Sequence, residues 1–234
     1  MRLDAPLTES LRRSPPPLHG DGEFWGVAWE ALAWIERHVE AGMATLETGA
    51  GASTIVFAAR GAVHEAVTPV PEEEARVRRA CAARGIDDSG VTFHIGPSQD
   101  VLPSRPAREL DLVLLDGAHG FPYPILDWWF LAPQLRVGGR MLLDDAYLPA
   151  VAAIVEHARS SNAWELERAV SFRTACIRKL RHEQPPAEAD ANAARGSMRF
   201  AYLPPRRRVV ASARQRVFST RAGIWVVRRM RGPR

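Results

Sequence analysis

The chain has 234 residues, 46% of them hydrophobic and 25% charged, with 31 Lys and Arg against 27 Asp and Glu. Those proportions exclude wholesale disorder, and the length suits one large domain or one domain with appendages. No apolar run reaches the roughly 18 residues that span a bilayer, the opening MRLDAPLTESLRRSPPP lacks the apolar stretch of a secretory signal, and two cysteines, Cys81 and Cys176, neither staple a secreted scaffold nor form a close metal-ligand pair.

A soluble, cytoplasmic protein is expected. Residues 1–22 read as an arm, because Pro15, Pro16 and Pro17 forbid helix and favour an extended segment. From residue 24 to 39 the pattern turns helical, with Trp25, Trp29, Leu32, Ile35 and Val39 on one apolar stripe. Two roles suit its tryptophans, packing against the body and covering a ligand. Short apolar runs follow at 44–47, 62–67, 91–95, 110–115 and 140–143. Between them lie helical stretches at 54–59, 72–84 and 123–135, with Gly85 and the Gly138-Gly139 pair as stops. The run LDLVLL at 110–115 is nearly continuous in apolar residues, as a strand buried on both faces requires. After a helix at 148–160, two strand candidates at 164–169 and 172–180 follow each other directly and predict an antiparallel pair closing the sheet. Strand–helix alternation at this spacing predicts an α/β domain over 23–182 around a central, mostly parallel sheet with an antiparallel last strand.

Residues 183–197 have the composition of a linker, and 198–234 form a basic extension. Residues 195–234 hold twelve arginines and no acid, which leaves 19 basic against 27 acidic groups in the first 194 residues, a net of −8. An acidic body with a basic tail argues against an extended nucleic-acid track. The tail places Val210, Ala213, Val217, Ile224 and Val227 near helical spacing among arginines. It suits an arm for a partner or for homo-oligomers, with peripheral contact at the inner membrane face and nucleic-acid binding as the other readings.

The first strand candidate ends in Glu47-Thr48-Gly49-Ala50-Gly51-Ala52-Ser53-Thr54. Glycines at 49 and 51 permit a tight turn and close approach of a ligand to the main chain, and Ser53-Thr54 can open a helix whose N-terminal amides attract an anion. In dinucleotide-binding dehydrogenases a ribose-gripping acid follows about 20 residues downstream. Here Val67-Thr68-Pro69 stands in that place without an acid, which disfavours a nicotinamide cofactor.

This segment resembles the first motif of class I S-adenosylmethionine-dependent methyltransferases, and the resemblance extends through Arg181. Residues 96–103, GPSQDVLP, resemble the adenine-side segment of the catechol O-methyltransferase group; 111–119, DLVLLDGAH, its fourth strand and following loop; and 137–145, VGGRMLLDD, the turn and strand after that. The resemblance implies a Rossmann-like seven-stranded methyltransferase sheet with helices on both faces and S-adenosylmethionine as cofactor. It implies a cofactor site at Glu47, Gly49, Ala50, Gly51, Ser53, Thr68, Ser98, Gln99 and Asp116. The family usually places an acid where this chain has Thr68, so affinity is modest or another residue compensates. Glu65, three residues earlier, points to the opposite face and is not recruited.

Asp116 and Asp144-Asp145 end two strands that converge on one edge of a parallel sheet, and three such acids suit a hard cation such as Mg²⁺. The alternative is that Asp144 caps the next helix and Asp116 only bonds loop amides. His119 stands where the catechol group has its catalytic lysine and can accept a hydroxyl proton at neutral pH, ligate a metal, or simply bond within the loop. His64, His94 and His157 read as structural. Phe121, Pro122, Tyr123, Trp128 and Trp129 either wall an acceptor pocket or pack on the sheet. The expected activity is methyl transfer to a hydroxyl of a small sugar, phenolic or natural-product acceptor. His119 is the expected base, with Asp116 beside it and metal assistance as an option. Competing readings are a non-catalytic subunit of the same fold and a membrane-associated or nucleic-acid methyltransferase using the tail.

Overall fold

The computed structural model describes residues 6–18 and 26–183. The chain divides into two units, Met1–His182 and Glu183–Arg234, and the fold is that of the first. The expected basic extension, and the linker but for Glu183, lie outside the described residues.

The N-terminal arm is corrected at its start. Leu7–Arg13 forms a helix, α1, and the prolines exclude helix only from residue 15 onward. Leu7 and Leu11, one turn apart, are buried in the core. Pro6, the N-cap, has no side-chain oxygen for the first amides, and Glu36 of helix α2 (Trp29–His38) supplies one instead. Its carboxylate accepts from Leu7 N at 2.6 Å, Thr8 N at 3.0 Å and Thr8 Oγ1 at 2.5 Å. Trp29 packs on the core as one expected role required, whereas Trp25 lies outside the described residues.

Five strands then alternate with helices: β1 (Ala44–Thr48), α3 (Ala52–Ala59), β2 (Val63–Thr68), α4 (Pro71–Ala82), β3 (Val91–Ile95), α5 (Ser98–Ser104), β4 (Leu110–Leu115), α6 (Tyr123–Leu131) and β5 (Leu135–Leu143). Helix α7 (Pro149–Ser160) leads into β6 (Trp164–Leu166) and β7 (Ala175–Lys179). The sheet has the order β3-β2-β1-β4-β5-β7-β6; all pairs from β3 to β5 are parallel, and β7 is antiparallel to both its neighbours. The chain winds outward from β1 to β3, then returns to place β4 on the other side of β1. Between β1 and β4 the strand order therefore reverses, and the carboxyl ends of those two strands border a crevice.

Side chains alternate across the sheet as period 2 demands. Leu112 and Leu114 of β4 join the apolar cluster under α1 to α4, while Val113 and Leu115 join the cluster under α6 and α7. Two elements depart from expectation. Helix α5 occupies a segment for which no helix was expected; Pro103, near its C-terminal end, removes a single backbone donor from a seven-residue helix. The Gly138-Gly139 pair lies inside β5 instead of stopping before it. With φ +84° at Gly138, the strand bulges, and the pairing jumps from Leu110↔Leu135 to Leu112↔Arg140. A Cβ at Gly139 would lie 2.9 Å from the Arg136 carbonyl oxygen and 3.0 Å from that of Asp111. Lys179, the sole lysine, is buried and donates to the carbonyls of Ala132 at 2.8 Å and Leu135 at 2.7 Å, closing the end of α6.

Candidate active site

The turn after β1 is held from behind. Glu47 is 1% exposed, and its carboxylate accepts hydrogen bonds from Ser53 Oγ (2.5 Å), Thr54 Oγ1 and His64 Nε2 (3.1 Å). His64 Nδ1 in turn meets Thr45 Oγ1 at 2.8 Å, and its ring stacks on Phe57 at 4.2 Å between centroids. A buried carboxylate is tolerable only when its oxygens are satisfied in this way. Thr54 Oγ1 also receives Gly51 N at 2.9 Å, so the whole turn is fixed to the start of α3. Gly49, at φ +96°, is the one residue type the turn admits: a Cβ there would stand 2.6 Å from the carbonyl oxygen of Asp116.

A cavity of about 950 Å³ opens at the crevice between β1 and β4. Thr48, Gly49 and Ala50 line it from the first turn, Val67 and Thr68 from β2, Ser98 and Gln99 from α5, Asp116 and His119 from the loop after β4, and Asp145 from the end of β5. Eight residues expected at the site therefore share one cavity: Gly49, Ala50, Thr68, Ser98, Gln99, Asp116, His119 and Asp145. Glu47, Gly51, Ser53 and Asp144 are not among the lining residues and support it from behind. Of the aromatic residues after His119, Tyr123 lines the cavity, Trp128 packs against Trp164 at 4.7 Å, and Trp129 is exposed. His94 bonds Glu65 at 2.7 Å and His157 meets the edge of Trp128, so neither joins the site. Glu65 is engaged on that other side by Arg105 and Arg108 as well.

Among the lining residues that sequence reasoning missed, two are charged. Glu73, in the first turn of α4, accepts a hydrogen bond from Thr68 Oγ1 at 2.5 Å and brings a carboxylate to the position where the strand end lacks one. A signal existed in the Glu72-Glu73-Glu74 run opening that helix. Arg173 was hidden because residues 172–180 read as strand. The strand begins at Ala175, whose partner is Leu143, so residue 173 lies in the loop delivered to the carboxyl edge by the β6–β7 return.

His119 stands between two carboxylates, with Nε2 3.7 Å from Asp116 Oδ1 and Nδ1 3.6 Å from Asp145 Oδ2. Its Nε2 is enclosed without a hydrogen-bond partner. Asp145 adopts φ +49°, a left-handed conformation uncommon for a non-glycine residue and frequent at functional sites. Asp116 is held well above the usual carboxylate range by burial first, then by the nearby charges of Asp144 and Glu47. Burial works against the charge on Arg173, but its hydrogen bond to Asp144 and the fields of Asp145 and Asp116 raise its pKa on balance.

The cavity fits a sulfonium-bearing nucleoside cofactor on two counts. The glycine turn lets a ligand lie against the main chain, and Glu73 and Asp145 bring carboxylates to the lining that suit a cation. The fit to a divalent metal fails. Asp144 is fully buried with both oxygens taken, Oδ2 by Arg173 Nη2 at 2.5 Å and Oδ1 by Thr174 Oγ1 at 2.6 Å. Among the described residues, no three or more His, Cys, Asp or Glu side chains are arranged to hold a metal ion.

Residues 46–146 match a family model described as a methyltransferase domain. No curated protein matches the chain. Among solved structures, the O-methyltransferase from Bacillus cereus in complex with S-adenosylhomocysteine is 13% identical, with a TM-score of 0.58 over 77% of this chain and 93% of that one. The O-methyltransferase TomG from Streptomyces achromogenes, in complex with S-adenosylmethionine, is 18% identical, with a TM-score of 0.56 over 76% and 91%. The O-methyltransferase NovP is 20% identical, with a TM-score of 0.55 over 66% and 81%. The matched segment, the seven-stranded sheet and these solved structures agree with the Rossmann-like methyltransferase fold expected from the motifs at 47–51, 96–103, 111–119 and 137–145.

Proposed function

We propose that the chain methylates a hydroxyl oxygen of a small-molecule acceptor, with His119 as general base. The observation that carries this reading is the position of His119, at the wall of the cofactor cavity and flanked on both ring nitrogens by carboxylates. S-Adenosylmethionine supplies an already activated methyl group, so the protein's work is alignment of the hydroxyl and removal of its proton. Gly49 and Ala50 form the main-chain cradle, Ser98 and Gln99 take the adenine side, and the Thr68–Glu73 pair takes the ribose hydroxyls. The positive charge that His119 acquires with the proton meets Asp116 on one side and Asp145 on the other. Tyr123 and Tyr147 border the same space and offer apolar faces to an acceptor. Divalent-metal assistance, the other role suggested by the three acids, is set aside because Asp144 is fully buried behind the cavity and is paired with Arg173.

In this reading the catalytic unit is residues 23–182, extended by α1, and 198–234 serve as an arm for self-association or for a partner. Among the described residues no helix is long and apolar enough to cross a membrane.

His119→Ala is expected to leave S-adenosylhomocysteine affinity within about two-fold while methyl transfer to a hydroxyl acceptor falls by about 10²–10⁴. Retained transfer in that variant would remove His119 from the mechanism.

A further inference from the structure

We infer that Arg173 is the resident cation of this site, standing where a divalent ion would have to sit, so that the methyl transfer proposed above proceeds without metal and the acceptor oxygen meets a guanidinium. The inference rests on that reading of the site and adds to it the electrostatic partner of the acceptor. Four contacts carry it. Arg173 Nη2 donates to Asp144 Oδ2 at 2.5 Å, and Nε lies 3.4 Å from Asp144 Oδ1 and 3.5 Å from Asp145 Oδ1. Nη2 also donates to the carbonyl of Gly26 at 2.6 Å, which ties the segment before α2 to the cavity wall.

The guanidinium thus spans both acids at the end of β5. A hard cation binds carboxylate oxygens at about 2.0–2.1 Å in near-octahedral order. Asp144 is fully buried and does not line the cavity, and both its oxygens already accept hydrogen bonds, from Thr174 and from Arg173. An arginine is charged at every working pH, and its planar fork suits two adjacent carboxylates better than a lysine's point charge would. Burying Asp144 without such a partner would be strongly unfavourable, so the arginine and the acid are required together. Nη1 makes no hydrogen bond to the described residues, and Arg173 lines the cavity, where its positive charge stands beside the acceptor oxygen.

The test is a Mn²⁺ titration of the full-length protein followed by electron paramagnetic resonance, with and without saturating S-adenosylhomocysteine. The native protein is expected to leave the free Mn²⁺ signal undiminished up to about 1 mM, whereas Arg173→Gln, which frees Asp144 and Asp145, binds Mn²⁺ at least about ten-fold more tightly. Stoichiometric Mn²⁺ uptake by the native protein, lost in Asp144→Asn, would overturn the inference, and so would an Arg173→Gln protein that is folded and binds no more Mn²⁺ than the native one. Should Arg173→Gln fail to fold, Arg173→Lys keeps the charge and is expected to fold and still exclude Mn²⁺; uptake by it would overturn the inference. With an acceptor in hand, native turnover is expected to be unchanged by EDTA within about two-fold, and a loss restored by Mg²⁺ would contradict it. Failure to bind S-adenosylhomocysteine at all would instead count against the methyl-transfer reading itself.

Discussion

Asp116 concentrates the tension between stability and function in this domain. Its unfolded-state pKa is close to the ordinary 3.8, and the fold holds it well above that value through burial, Asp144 and Glu47. Between those two values the folded state binds the extra proton, so stability falls as pH rises through that window, and above it the ionised carboxylate remains a standing cost. Asp116→Asn is therefore expected to raise the melting temperature by a few degrees near neutral pH, with the gain shrinking as the pH is lowered toward the unfolded value. Differential scanning calorimetry across that range checks the sign, and an unchanged or lowered melting temperature at neutral pH contradicts it. Gly49 carries the opposite sensitivity. A methyl group there meets the Asp116 carbonyl at 2.6 Å and forces φ +96° on a residue with a Cβ, so Gly49→Ala is expected to cost about 1–3 kcal/mol. The β1 turn would also shift away from β4, and calorimetry with S-adenosylhomocysteine should report weaker binding.

At the scale of elements, the sheet was legible because burial on both faces leaves a plain signature. The run at 110–115 forms β4 with the expected bounds, and the helices after β1 and β2 follow their glycine and acidic openings. What was not legible depended on contacts distant in sequence. Nothing in residues 7–13 announces α1, because its cap is Glu36, 28 and 29 residues away from the amides it serves. The Gly138-Gly139 pair is a turn signal taken alone; as part of β5 it becomes a bulge only because β4 lies alongside. Arg173 belongs to a loop that the β6–β7 return brings back to the ligand edge, and strand periodicity at 172–180 carries no trace of that. The Glu36 contact gives a direct check. Glu36→Ala leaves three donors at the start of α1 without their acceptor and is expected to cost about 1–3 kcal/mol, with amide exchange quickening across Leu7–Arg13 more than in the sheet. Uniform exchange rates in α1 before and after the substitution would show that the helix does not depend on this cap.

Taken whole, the domain places its chemistry where the strand order reverses. β1 brings the glycine turn, β4 brings Asp116 and His119, β5 brings Asp145, and the hairpin beyond it brings Arg173. Each supporting residue outside the cavity has a definite burden: Glu47 fixes the turn, and Asp144 anchors the arginine. The most direct test of this account is calorimetric titration of the full chain with S-adenosylhomocysteine. Micromolar, stoichiometric binding that is lost in Gly49→Arg is the predicted result. Absence of binding by the folded native protein would contradict the assignment of the cavity between β1 and β4 as the cofactor site.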